Sequence, residues 1–193
     1  MAGEHEMAPA EVGRLLDELK RRLEEAGVNA TIHIFGGSAM ALLFPDDPET
    51  RFTEDIDAAI QPREDVYRVV LTMADELGLS PTWLNASGVA FLPPRAQPPS
   101  TTGGVAVTYA DANELIAMKL AASREQDLHD LGMLARRAGI TDPQVLVDIA
   151  FDAYGEDSVV LSDSRSDYLI MAKDALTRAK RRAQKAKPPI PGD

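Results

Sequence analysis

Two aspartates separated by one isoleucine, Asp55-Ile56-Asp57, open the apolar run DIDAAI, and this triplet narrows what the chain can fold into more than any other feature. In an extended strand, residues two apart share a face, so the spacing predicts both carboxylates on one side and Ile56 in the core. Two carboxylates a pleat apart repel unless a cation holds them. Their oxygen-only chemistry favours a hard metal bridged by substrate phosphates, Mg2+ or Mn2+. An edge strand with a wet acidic face would also accommodate them.

A second feature lies upstream. Gly36-Gly37-Ser38 falls between a β-rich run, ATIHIF, and a helix-forming run over residues 39–44. Glycines in such a turn let the backbone approach a polyanion, and the helix start beyond it offers free N–H groups and a partial positive charge. Packing alone is an equally simple use of the turn. The residues between Ser38 and Asp55 suffice for one short helix and a loop, PDDPET. Such a connection can lay the second strand beside the first, with turn and acids at one sheet end. A triphosphate on the turn would then meet metals on the aspartates, an arrangement suited to phosphoryl transfer. An exposed Ser38 there would also be open to phosphorylation.

The rest of the chain supplies a frame. Val12, Leu15, Leu16, Leu19 and Leu23 recur at helical spacing over residues 9–26, and Gly27 stops the run. A helix over 65–77 places Val66, Val69, Val70, Met73 and Leu77 on one face. Residues 93–104 read as a loop, and VAVTY (105–109) as a third strand. From Asp111, a residue suited to capping, the pattern is helical, with Thr141-Asp142-Pro143 capping a further helix and a last one over 166–187. The expected class is α+β: a small mixed sheet with helices on one side over residues 1–110, a helical subdomain over 111–187, and a tail over 188–193. Trp83 is expected in the core rather than as a base-stacking platform.

Composition excludes several chemistries. The chain has no cysteine, so disulfides, thiolate zinc sites and cysteine nucleophiles are absent. His5, His33 and His129 lack metal-ligand spacing, and Ser38 has no histidine at a suggestive position. The start of the sequence lacks a signal-peptide layout and no apolar run reaches membrane-spanning length, so a cytoplasmic protein without membrane partners is expected. The net charge of −11 argues against a broad nucleic-acid-binding face. Residues 173–187 are the exception, carrying Lys173, Arg178, Lys180, Arg181, Arg182, Lys185 and Lys187 against Asp174. They suit either a helix end whose cations complement the dipole or an RNA-contacting tail.

The stretches IFGGSAMALL, RFTEDIDAAI and ELIAMKLAASREQDLHDL, together with LGLSPTWLNASGVAFLP, resemble the DNA polymerase β-like (MNT-type) nucleotidyltransferase superfamily, and within it the small bacterial branch of the AbiEii and MenT toxins. The resemblance runs from about Ile34 to Leu131. It implies a nucleotidyltransferase core in which Gly36, Gly37 and Ser38 hold an NTP, and Asp55 and Asp57 hold the metal ions. Lys119 would contact nucleotide phosphates, with Arg124 also on the nucleotide, and Asp127 would complete the catalytic set. It further implies a tRNA or other RNA 3′ end as acceptor and a cognate antitoxin as partner. Two departures stand out: the Ser38–Asp55 spacing is long, and VAVTY has no third carboxylate. Asp130 competes with Asp127 for its role.

The residues themselves leave alternatives. Lys119 lies in an apolar run, where an ammonium needs an anionic partner or must snorkel to water. Lys119 with Ser123, and Arg124 with Asp127, fall at helical spacing and suggest one polar stripe. Asp127 or Asp130 could simply pair with Arg124 or Arg136. Arg51 could meet phosphate or pair with Glu49 or Glu54. At the level of function, transfer to a small molecule or a protein hydroxyl, and a non-catalytic binding partner, remain the rival readings.

Overall fold

The computed structural model describes residues 6–98 and 103–186. His5, part of the loop expected over 93–104, Lys187 and the tail over 188–193 lie outside the described residues. The chain divides into two compact units, Met1–Leu92 with Ala96–Ala110, and Pro93–Arg95 with Asp111–Asp193.

The first unit is α+β. Helix α1 (Pro9–Glu25) starts with proline at its first position, where a missing N–H is harmless. It buries Val12, Leu15, Leu16, Leu19 and Leu23, each worth about 1.5–3 kcal/mol once removed from water. Strands β1 (Ala30–Ile34), β2 (Ile56–Gln61), β3 (Leu84–Asn85) and β4 (Val105–Tyr109) form one mixed sheet in the order β3-β2-β1-β4. β1 pairs antiparallel with β2 and parallel with β4, and β2 pairs parallel with β3. Helices α2 (Gly36–Leu43) and α3 (Arg63–Leu77) complete the unit.

Several details differ from expectation. Helices on one side only would leave alternate residues of β1 in water, yet all five are buried, Thr31 and His33 included. His33 meets its register partner Thr108 through Nδ1 and the hydroxyl, 2.8 Å apart. On α3, Leu77 is exposed, and Ala74 takes the buried position with Val66, Val70 and Met73. Trp83 is in the core, its indole N–H donating to the Val70 carbonyl at 3.2 Å.

The second unit is helical: α4 (Ala112–Ala122), α5 (Glu125–Arg137), α6 (Pro143–Tyr154) and α7 (Arg165–Ala186). Asp111 caps α4 by accepting from the Glu114 N–H, and Asp142 caps α6 by accepting from the Gln144 N–H, each at 2.9 Å. The segment expected to form one polar-striped helix is two helices. Ser123 adopts a left-handed conformation, φ 52°, that ends α4, and α5 restarts from Arg124. Among the described residues, no helix is long and apolar enough to cross a membrane.

Candidate functional site

Antiparallel pairing fixes the geometry around the glycine turn. Ile34, the last residue of β1, lies opposite Ala58, and the Phe35 N–H donates to the Asp57 carbonyl at 3.0 Å. The end of β1 and the start of β2 therefore coincide, and α2 begins where the acids stand. Gly36 is already the first residue of that helix, so the turn is tighter than expected. Its φ of +67° is strained for any side-chain-bearing residue. A Cβ built there would stand 2.8 Å from Oδ2 of Asp57, so the carboxylate packs directly against the Gly36 backbone. Gly37 is exposed beside it.

Asp55 is held from three directions. Its carbonyl accepts from the Ser38 hydroxyl at 3.0 Å and the Thr53 hydroxyl at 2.7 Å. Thr53 is tied in turn to Met7 by reciprocal backbone hydrogen bonds of 2.7 and 3.2 Å. The Asn85 amide donates to Oδ2 of Asp55 at 2.7 Å, while its own Oδ1 accepts from the Ser87 N–H at 2.8 Å, which fixes its orientation. Asn85 is the register partner of Asp57, so their side chains share a face. Because Asn85 also reaches Asp55, both carboxylates lie on that face, half-buried, with Ile56 fully buried between them.

Ser38 itself is 1% exposed, which corrects the expectation of an exposed serine. Beginning the helix at Gly36 turns the side chain inward onto Asp55, so phosphorylation would require the turn to open. Arg51 is exposed in the segment before Thr53.

The donor set suits a hard divalent cation. Asp55 and Asp57 offer only oxygen, and Mg2+ is commonly held by one or two carboxylates completed by water and substrate phosphates. Among the described residues no group of three or more His, Asp or Glu side chains could hold a metal ion, so this pair would rely on such added ligands.

Within the helical unit, Lys119, Arg124 and Asp127 come together. Lys119 does not snorkel. It is 7% exposed, and its ammonium pairs with Asp127 at 3.0 Å and Asp130 at 2.7 Å. Asp127 is fully buried, accepting from the Arg124 Nε at 2.6 Å and from the Arg124 backbone N–H at 3.3 Å. Burial alone would raise its carboxyl pKa, but the Arg124 guanidinium and the Lys119 ammonium outweigh burial and hold it below the usual range. Asp127 and Asp130 thus share the lysine instead of competing for one role.

Sequence reasoning missed Asn85. Its signal was Asn85-Ala86-Ser87, where an asparagine two residues before a free N–H favours an Asx turn. No family model matches the chain, and no curated protein or solved structure matches it.

Proposed function

We propose that this chain is a metal-dependent nucleotidyltransferase of the DNA polymerase β-like kind, moving NMP from an NTP to an acceptor hydroxyl with release of pyrophosphate. The observation that carries this reading is the bond from the Ser38 hydroxyl to the Asp55 carbonyl, with Asp57 packed on Gly36. A glycine turn that opens a helix and a pair of acids thereby share one sheet end. The N–H groups at the start of α2 and their partial positive charge suit phosphate oxygens. Asp55 and Asp57 would hold magnesium, which when bound supplies charge neutralisation at the phosphates. Ser38 and Thr53 fix the Asp55 backbone, and Asn85 aims its carboxylate. As the acceptor oxygen bonds to the α-phosphorus and gives up its proton to water, the bond to the pyrophosphate oxygen breaks and pyrophosphate leaves, while the residues contribute position and electrostatics.

The resemblance also gives Lys119 and Arg124 to the nucleotide. Their pairing with Asp127 and Asp130 supports a structural role within the helical unit instead. A tRNA 3′ end as acceptor, action as the toxin of a toxin–antitoxin system, and a cytoplasmic location rest on that resemblance alone. Incubating the protein with each α-labelled NTP and magnesium, first with total RNA and then with lysate protein, tests both reaction and acceptor. Label on RNA that is lost in Asp57→Ala supports the full reading. Label on protein or a small molecule keeps the chemistry and changes the acceptor. No label with any acceptor favours a non-catalytic relative.

A further inference from the structure

A groove of about 560 Å3 runs between α7, the end of α5 and the start of α6, entirely within the helical unit. Its floor is apolar, formed by Ile140, Pro143, Leu176 and Ala179, and cations flank it at Arg136, Lys173 and Lys180. No acidic side chain lines it, on a chain whose net charge is −11. Lys173 and Lys180 are two turns apart on one face of α7, both exposed, and neither forms an ion pair among the described residues. Acids are within reach of the same helix: Arg178 pairs with Asp174 at 2.8 Å and with Glu125. Lys173 and Lys180, which line the groove, keep no such partner among the described residues.

Close helix packing borders the groove. A Cβ at Gly132 would stand 2.8 Å from the Ala175 carbonyl oxygen and 3.0 Å from the Ala179 Cβ, so α5 and α7 approach as closely as their backbones allow. The wall that α7 presents from Lys173 to Ala183 spans about 15 Å at the helical rise, nearly three turns of a partner helix. An RNA strand would gain little from an apolar floor, and no aromatic side chain lines the groove for base stacking.

We propose that this groove docks an acidic amphipathic helix of a partner protein, with apolar residues at i, i+4 and i+7 on the Leu176 floor and carboxylates against Lys173 and Lys180. The proposal is independent of nucleotidyl transfer. It gives two cations of the basic stretch, Lys173 and Lys180, a place on an interaction surface.

The test uses the full-length chain and a fluorescent helical peptide of about fourteen residues, roughly 21 Å long, with leucines at that spacing flanked by glutamates. Controls are a scrambled peptide, the same peptide with lysines for glutamates, and a single-stranded RNA of similar length. Binding is followed by anisotropy on wild type, on Lys173→Glu/Lys180→Glu and on Leu176→Asp, with circular dichroism verifying each fold. The acidic peptide should bind wild type about tenfold or more tighter than either peptide control. Charge reversal should weaken it about tenfold or more and favour the lysine peptide, and Leu176→Asp should weaken it comparably. Absent binding of the acidic peptide, or equal binding by wild type and variants, overturns the proposal. So does RNA binding that the charge reversal abolishes while the peptide fails to bind, which marks a nucleic-acid face. A sedimentation-detected dimer that the reversal dissolves, with no peptide binding, overturns it in favour of a second copy of this chain.

Discussion

At the scale of single residues, the contact between Gly36 and Asp57 makes the sharpest demands. Gly36→Ala places a methyl 2.8 Å from Oδ2 of Asp57 at a φ of +67°, so it should cost about 1–3 kcal/mol. Gly37→Ala is the contrast: the added Cβ meets only the Thr53 hydroxyl at 3.6 Å, an ordinary contact. Because alanine is the better helix former, that change should be neutral or stabilise by up to about 1 kcal/mol. Urea denaturation of the two variants distinguishes a shaped turn from a generic one. Asn85 makes a different prediction. It touches Asp55 through one hydrogen bond and contributes little to the core. Asn85→Ala also gives up the bond from the Ser87 N–H, so it should lower stability by about 1 kcal/mol while lowering nucleotidyl transfer about 10- to 100-fold, the usual effect of removing a group that orients a metal-binding carboxylate. Unchanged activity would remove Asn85 from the site. At this scale the sequence carried the acids and the glycines, because residue type and period state their chemistry directly. It did not carry their neighbours: Ser38 turns inward because α2 starts at Gly36, and Asn85 reaches Asp55 only through a strand pairing that spans thirty residues of sequence.

At the scale of elements, what was legible follows length and period. α1, α3, α6 and α7 repeat apolar residues over three or more turns, and β1, β2 and β4 are runs of five or six residues rich in branched or small apolar side chains. β3 is two residues long and has no period to detect. The break between α4 and α5 was hidden because Ser123 takes the left-handed conformation usually left to glycine, its hydroxyl bonding back to the Leu120 carbonyl. That break lets Asp127 and Asp130 of α5 turn onto Lys119 of α4, and the triad then ties the two helices together. Asp127 has a folded-state pKa below its unfolded value. Its contribution is thus complete at neutral pH and fades as pH falls below about 4 through the folded value. Asp127→Asn should be less stable than wild type by up to about 3 kcal/mol at pH 7, toward the low end for a broken buried pair because Asp130 still faces the lysine. The difference should narrow at pH 3. Urea midpoints at the two pH values measure it, and a gap that widens in acid would contradict the assignment.

At the scale of the whole molecule, two chemistries reside in separate units. The sheet unit carries the turn and the acid pair, and the helical unit carries a buried charge triad and a basic groove on an otherwise acidic chain. Nucleotidyl transfer would require Gly36–Ser38 and the two aspartates to grip one magnesium-bound polyphosphate. Calorimetric titration of a non-hydrolysable NTP, with magnesium or with EDTA, into wild type and Asp55→Asn/Asp57→Asn tests it most directly. Wild type should bind only with magnesium, and the variant about 100-fold or more weaker, or about 2.7 kcal/mol. Equal affinity of wild type and variant, or wild-type binding that EDTA leaves intact, would contradict it.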